Sequence, residues 1–305
     1  MNKLIGALLI IVSAASFGTL AILGRYAYAD SLDTFTILAL RFTLGAILMA
    51  GLLAVRRERW PRGSTLVRLI GMGALGYVGQ SFSYLTATQY ASAGLVALLL
   101  YLYPVFVAIL SAIFLKEKFT PLKITALALA TFGAALTANP QGGQWTGILL
   151  AVSAAAIYSV YIIVGTGVMQ QVSAFQSSTV IFASAGAVYT TLALLRGPQL
   201  PQSGAGWAAV IAIVLIATVI PVVTFLAGLR RIGPTNASML STVEPIVTVL
   251  LAALLFGEVL TAEALMGGAL ILIAVLLLAR GELRQPDRLN AAREKTRTRQ
   301  PDQSG

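Results

Sequence analysis

A carboxyl group inside an apolar stretch is the residue of this chain most suited to chemistry. Glu244 lies near the middle of the apolar run 237–256, directly before Pro245. At such a depth in a membrane, a carboxyl group has to be protonated, paired or turned toward a water-filled cavity. Glu244 can therefore bind a substrate's ammonium group, or take up and release a coupling proton. The alternative is a protonated side chain that satisfies backbone groups left open by the proline.

A stripe of polar and aromatic side chains accompanies this carboxyl group. Tyr77, Gln80, Ser81 and Tyr84 follow the spacing i, i+3, i+4 and i+7, which places them on one face of a helix. Such a face is unfavourable against lipid, so it should point into the protein and line a cavity. Hydrogen bonding between helices is the alternative. Further candidates for substrate binding on other apolar stretches are Tyr101, Tyr103, Tyr158, Tyr161, Ser241 and Thr248.

Two prolines occupy equivalent positions in two apolar stretches. Pro104 and Pro245 each remove one backbone hydrogen bond, which frees the carbonyl groups of Leu100 and Ser241. Interrupted helices with open carbonyl groups are a recurring way to bind substrates at mid-membrane. We therefore interpret both prolines as gating or kink positions, against the alternative of kinks satisfied by Ser or Thr side chains.

Arg41 is a cation about two turns inside another apolar stretch. It can hold a substrate carboxylate, or its long side chain can reach the nearby membrane interface. Asp30 and Asp33 are near enough in sequence to act as partners. The sequence leaves these alternatives open.

Ten apolar stretches must position these residues. With 58% hydrophobic and only 10% charged residues, the 305-residue chain has the composition of a membrane protein. Lipid offers no partner to unpaired backbone groups, so each stretch should be a helix. The expected spans are Leu4–Leu23, Thr36–Val55, Leu66–Ala87, Gly94–Leu115, Leu122–Thr137, Gly147–Val164, Ser177–Leu195, Trp207–Leu229, Ala237–Phe256 and Ala264–Ala279.

The sequence repeats with an offset of 141 residues, which aligns Pro104 with Pro245. Each repeat contains five spans, and because five is odd the second repeat must enter the membrane from the opposite side. We therefore predict an all-α polytopic membrane protein, built from two inverted-topology five-helix repeats around a central cavity. The repeats occupy residues 1–139 and 140–281, separated by a hinge at 139–143, and a basic disordered tail covers 282–305.

Basic residues fix the expected orientation. With both termini in the cytoplasm, every Lys and Arg outside Arg25, Arg41 and Arg196 falls on the cytoplasmic side. This is the positive-inside pattern, and it predicts a multi-pass membrane protein with both termini in the cytoplasm. The net charge of +10 is then explained by topology and by attraction to anionic lipid, with no nucleic-acid partner.

The sequence also argues against several kinds of chemistry. It contains no Cys and no His, which removes thiol chemistry, imidazole bases and most transition-metal sites. No Gly-rich loop followed by Lys and Ser or Thr is present, which argues against nucleotide hydrolysis. We expect neither a catalytic residue nor a cofactor or metal. Transport should run down a gradient or be coupled to an ion, for which a proton is the candidate.

Several short segments resemble the EamA-type branch of the drug/metabolite transporter superfamily, and the likeness extends over residues 4–280. They are Tyr103-Pro104, Val243-Glu244-Pro245, Phe114–Lys118, Phe256-Gly257-Glu258, Ala87–Ala93 and Gly228–Pro234. The resemblance implies ten helices, cytoplasmic termini and a central cavity. The tyrosine-rich set is similar to the subgroup of bacterial exporters that carry amino acids, including aromatic ones.

The sequence therefore favours a secondary transporter that exports small neutral amphipathic metabolites, most of all amino acids, by alternating access. One alternative is a multidrug exporter of lipophilic cations, which Glu244 and the aromatic residues would also suit. Alternatives from other classes are a membrane-embedded lipid transferase and a scaffold without transport. A transferase should show clusters of carboxylates or histidines near one interface, and a scaffold would not need the paired prolines.

Overall fold

The structure, a computed structural model, describes residues 2–114, 121–137, 145–169, 171–232, 240–241 and 243–277. Throughout these ranges the regular secondary structure is helical. The predicted hinge at 139–143 and the predicted tail at 282–305 lie outside them.

Helices occupy all ten predicted stretches within the described ranges, which confirms the all-α fold class. Six are long and apolar enough to cross a membrane, and shorter apolar helices form spans 5, 9 and 10. The spans are Asn2–Gly18 with Leu20–Ala29 (span 1), Thr34–Val55 (span 2), Gly63–Gly71 with Met72–Tyr77 and Val78–Tyr90 (span 3), Ala93–Leu100 with Tyr103–Phe114 (span 4), Pro121–Thr137 (span 5), Trp145–Met169 (span 6), Ala174–Arg196 (span 7), Gly204–Val214 with Leu215–Val219 and Ile220–Ile232 (span 8), Val243–Phe256 (span 9) and Ala262–Leu277 (span 10).

Polar caps set where several spans begin. The Asp33 carboxylate accepts hydrogen bonds from the backbone N–H groups of Phe35 and Thr36 at the start of span 2. Ser173 forms a capping box with Gln176 at the start of span 7. These caps satisfy N–H groups that the first turn of a helix leaves without partners. Spans 2 and 7 are equivalent in the two repeats, so both repeats mark the same boundary with a polar side chain.

Packing between the spans follows the repeat. Spans 2 and 7, which are equivalent, pack along each other. Span 1 packs on spans 8 and 9, and its equivalent, span 6, packs on spans 3 and 4, the equivalents of 8 and 9. This exchange of partners is expected for two copies of one unit related by an approximate two-fold axis.

Each repeat also contains one short π-helical segment at an equivalent position. Met72–Tyr77 interrupts span 3, and Leu215–Val219 interrupts span 8. Side-chain hydroxyls satisfy the distorted backbone: Thr218 Oγ1 donates to the Ile213 carbonyl at 2.8 Å. Because π-helical turns re-aim the side chains that follow them, they often mark functional positions in a helix. Here Tyr77 and Thr218 are equivalent residues of the two segments.

Each of the two prolines lies in the first turn of a described helix. Span 4 is broken at residues 101–102, and Pro104 lies in the first turn of its second helix, Tyr103–Phe114. Pro245 lies in the first turn of Val243–Phe256. At Pro104 the proline is tolerated because the first-turn N–H groups have no partner within the helix. Pro104 therefore places a helix start inside the bundle, whereas residues 240 and 241, before the helix that contains Pro245, are also helical.

Close approach of spans 3 and 7 gives the first testable prediction. A Cβ atom added at Gly73 would lie 2.6 Å from the backbone oxygen of Ile181. We expect Gly73→Ala to lower the free energy of unfolding by about 1–3 kcal/mol through overpacking. Gly71→Ala, two residues away with open space around it, is the matched control and should be neutral or slightly stabilising. Thermal unfolding of both purified variants checks this, and equal melting temperatures would contradict it.

Candidate functional site

A cavity of about 460 Å³ lies between the two repeats. Residues from spans 1, 3, 4, 6, 7, 8 and 9 surround it, so both repeats contribute to its wall. Seven of the predicted binding residues line it, namely Tyr77, Tyr101, Tyr103, Tyr158, Tyr161, Ser241 and Glu244. Four spans thus bring together side chains that are up to 167 residues apart in the chain.

Five tyrosines form a continuous aromatic wall. Tyr101 and Tyr103 meet edge to face with ring centroids 5.8 Å apart, and Tyr103 meets Tyr158 at 4.9 Å. Tyr158 stacks on Tyr161 at 5.8 Å, and Tyr161 continues to Tyr77 at 5.7 Å. Tyrosine rings offer apolar faces together with hydrogen-bonding tips. The wall is therefore suited to solutes that are part apolar and part polar.

Glu244 joins this wall through Tyr101. The Tyr101 hydroxyl donates to the Ser241 carbonyl oxygen at 2.6 Å and lies 3.1 Å from Glu244 Oε2. Pro245 removes the backbone donor that would otherwise bond this Ser241 carbonyl, and Tyr101 supplies the replacement. A phenol has only one proton to donate, so its bond to Ser241 competes with its bond to the carboxylate. A ligand donor could take the place of Tyr101 on Glu244 while the Ser241 carbonyl remains satisfied.

Four predicted binding residues lie outside the cavity lining. Thr248 is fully buried and donates to the Gly18 carbonyl at 2.9 Å, which ties span 9 to span 1. Ser81 donates to the Tyr77 carbonyl oxygen at 2.6 Å, beside the π-helical segment. Tyr84 is buried and Gln80 is half-buried in span 3. In this conformation, the Thr248 and Ser81 hydroxyls therefore belong to contacts between or within helices.

The cavity also has lining residues that the sequence reasoning missed. Phenylalanines and single serines in apolar stretches look the same in sequence whether they pack between helices or line a cavity. Phe17 could have been found, because the repeat offset pairs it with Tyr158. The missed polar and aromatic lining residues are Ser13, Phe17, Ser177, Ser178, Phe182 and Phe225.

The cavity extends toward one side of the bundle. We call the side on which span 1 begins the N side, and the opposite one the far side. Lining residues include Ala174, the first residue of span 7, and Ser241, just before the described start of span 9. Both of these span starts lie on the N side. The cavity therefore reaches from the middle of the bundle to its N side.

The far side is held together by polar contacts. Arg25 of span 1 forms an ion pair with Glu258, which follows span 9. The same carboxylate accepts hydrogen bonds from the backbone N–H groups of Ala93 at 3.3 Å and Gly94 at 3.5 Å, at the start of span 4. One side chain thus connects spans 1, 4 and 9, all of which contribute to the cavity wall.

A second far-side contact joins the end of span 1 to the start of span 8. Asp30 accepts hydrogen bonds from the backbone N–H groups of Gln202 and Ser203. Hydrogen bonding from the Ser203 side chain, aided by these backbone donors, holds the pKa of the Asp30 carboxyl below its usual range. The carboxylate therefore stays ionised at neutral pH and keeps this contact formed.

The arrangement is suited to reversible binding. Within the described ranges no group of three His, Cys, Asp or Glu side chains is placed to hold a metal ion. The lining combines one carboxyl group, several phenol and hydroxyl groups and an apolar remainder. A polar-aromatic cavity that lies between two repeats of a membrane-spanning helical bundle and reaches one side of it is typical of a transporter of small molecules.

Comparison with known proteins identifies the family. The EamA-like transporter family matches the chain twice, over residues 4–139 and 145–280. The chain belongs to this family. Members of the family are transporters rather than enzymes, and the two matches confirm the duplication.

Similar curated proteins cover most of the chain. An uncharacterized transporter of Archaeoglobus fulgidus is 27% identical, covering 88% of this chain and 94% of its own length. A probable terminal-alkyne amino-acid exporter of Streptantibioticus cattleyicolor is 27% identical over 80% and 83% of the two chains. The aromatic amino acid exporter YddG of Ancylobacter novellus is 28% identical over 71% and 77%. A solved crystal structure with 21% identity shares the fold, with a TM-score of 0.63 over 90% of this chain and 97% of the other.

Proposed function

We propose that this protein exports amino acids or similar small amphipathic metabolites across the bacterial inner membrane by alternating access. The observation that carries the proposal is the tyrosine-walled cavity with a single carboxyl group, Glu244. In this proposal the carboxylate binds the ammonium group of the substrate and the tyrosine rings contact its side chain. The similar proteins named as amino-acid exporters support this substrate class.

Direction of transport follows from the expected topology. The excess of basic residues predicts that the N side faces the cytoplasm. The cavity would then receive substrate from the cytoplasm while the Glu258 contacts keep the far side closed. Alternating access requires a second conformation in which these contacts open and the N side closes.

A transport assay tests this function. Purified protein in liposomes should exchange labelled neutral amino acids, aromatic ones among them, in the presence or absence of a pH gradient. A change in rate with the gradient would indicate that a proton is the coupling ion. Absence of amino-acid transport under every gradient would overturn the proposed substrate class.

Selectivity of the aromatic wall gives the second prediction. Tyr77 contacts Tyr161 and Phe182 at the inner end of the cavity. Tyr77→Ala should change the relative inhibition constants of competing amino acids by about tenfold or more. The reason is that burying an aromatic side chain contributes about 1.5–3 kcal/mol. Tyr26→Ala is the control, because Tyr26 is exposed at the far end of span 1. Unchanged competition in the Tyr77 variant would mean that this ring only packs.

The rival substrate class, lipophilic cations, is also favoured by Glu244 and its aromatic surroundings. The same liposomes distinguish the two classes by competition with tetraphenylphosphonium. Strong inhibition by this cation together with no effect of amino acids would favour the multidrug alternative.

A further inference from the structure

Arg41 is a buried cation that the N-side cavity does not use. Its side chain is 4% exposed, and Nε donates a hydrogen bond to Thr218 Oγ1 at 2.9 Å. Within the described residues this is its only hydrogen bond, and the one ion pair there joins Arg25 to Glu258. Four guanidinium N–H donors are therefore available to a ligand. The guanidinium group also lies over the Phe42 ring, 4.9 Å from its centroid. Among the described residues no carboxylate pairs with it, and a cation at this depth is expensive to keep without a counter-charge.

The internal repeat relates Arg41 to a residue that lines the N-side cavity, and this relation places Arg41 on the far-side part of the transport pathway. In an inverted repeat, the two open conformations exchange the environments of equivalent residues, so each residue lining one side has a counterpart lining the other. The counterpart of Phe182 in the N-side cavity, offset by 141 residues, is Arg41. The counterpart of Tyr77 is Thr218, the residue to which Arg41 is bonded.

The repeat offset also explains why two predicted binding residues do not line the N-side cavity. Ser81 and Tyr84 are the counterparts of Val222 and Phe225, which line the cavity. Both Ser81 and Tyr84 are buried in the present conformation.

We propose that Arg41 binds the carboxylate of the substrate in a far-side half-site that it forms with Thr218, Ser81 and Tyr84. This half-site is closed in the present structure and opens when the repeats exchange conformations. The proposal rests on the proposed function, since it adds a recognition element for the class of substrate that the N-side cavity accepts.

The chemistry of the two half-sites is complementary. A guanidinium group binds a carboxylate through two parallel N–H···O bonds, which a point charge cannot reproduce. A carboxylate on the N side and a guanidinium group toward the far side match the ammonium and carboxylate groups of one amino acid. A substrate with only a positive charge would gain nothing from Arg41.

Competition by an analogue without a carboxylate tests this pairing. Uptake of labelled phenylalanine into liposomes is measured against unlabelled phenylalanine and against phenylalaninamide. For the wild-type protein, phenylalanine should inhibit uptake about tenfold or more strongly than phenylalaninamide, in keeping with a charge-assisted hydrogen bond. Arg41→Gln should bring the ratio of the two inhibition constants close to one, and Arg41→Lys should keep part of the difference.

The control is Arg196→Gln, because Arg196 is an exposed arginine that stacks on Phe35 outside the cavity. This variant should keep the wild-type ratio. If phenylalanine and phenylalaninamide lose inhibitory potency equally in Arg41→Gln, so that the ratio of their potencies is unchanged, Arg41 has a packing role and the proposal is overturned. Wild-type protein that transports no amino acid at all would instead overturn the proposed function.

Thiol labelling tests the half-site without altering Arg41. The chain has no cysteine, so a single introduced one reports on its own position. Leu40→Cys and Ile181→Cys are equivalent positions in the two repeats, and Ile181 lines the N-side cavity. A membrane-impermeant reagent should reach Ile181→Cys from the N side and Leu40→Cys from the far side. Protection of Leu40→Cys from far-side reagent during active transport would overturn the proposal, whether or not Arg41→Gln folds.

Discussion

Glu244→Gln is expected to reduce amino-acid transport at least tenfold while leaving folded protein in the membrane. The glutamine keeps the shape of the side chain and can still accept the Tyr101 hydrogen bond. It loses the negative charge that would bind a substrate's ammonium group. A hydrogen bond to a charged group contributes about 1.5–3 kcal/mol, and about 1.4 kcal/mol corresponds to a factor of ten. Initial rates in liposomes, normalised to folded protein, measure this.

Tyr101→Phe distinguishes the contribution of the Glu244 charge from that of the Tyr101 hydroxyl group. It removes the donor to the Ser241 carbonyl and to Glu244 but keeps the charge and the ring. We expect a smaller loss of transport than in Glu244→Gln, together with lower thermal stability. Wild-type transport by Glu244→Gln would remove this carboxyl group from the mechanism and leave the aromatic wall to select the substrate.

Glu258→Gln is expected to shift the conformational equilibrium toward the far-side-open state by about tenfold. Its carboxylate holds Arg25 and the two backbone N–H groups that begin span 4. Neutralising it weakens three contacts that hold the far side together in this structure. Because the ion pair is partly exposed, we assign the whole cluster about 1.4 kcal/mol, which is a tenfold shift in population.

Far-side labelling of Leu40→Cys measures this shift, since its rate should rise with the open population. Glu263→Gln is the matched control: the same substitution, five residues along the chain, at an exposed glutamate. An unchanged labelling rate in the Glu258 variant would mean that other contacts keep the far side closed. The Asp30 contact with span 8 would then be the next candidate.

Much of the fold could be predicted because the bilayer restricts the possible structures. Apolar stretches in lipid must be helical, and an odd number of spans per repeat reverses the second copy. The predicted spans and the repeat offset therefore agree with the observed helices. The π-helical segment Met72–Tyr77 and the break at residues 101–102 could not be read from apolar runs. They depend on side-chain hydrogen bonds and on packing from other spans.

The predicted binding residues divide in the same way. Helical spacing identified a shared face for Tyr77, Ser81 and Tyr84, but helical spacing does not tell which part of a face is open in one conformation. Tyr77 lines the N-side cavity, whereas Ser81 and Tyr84 are buried.

The sequence by itself determined the membrane-spanning class, the duplication and the chemical types available for binding. These follow from hydropathy, from the 141-residue offset and from the rarity of ionisable groups in apolar runs. Only the tertiary structure decided that Tyr101 satisfies the carbonyl freed by Pro245 and that Glu258 joins spans 1, 4 and 9. Such contacts join residues more than a hundred positions apart, so they depend on how the two repeats pack rather than on any local pattern.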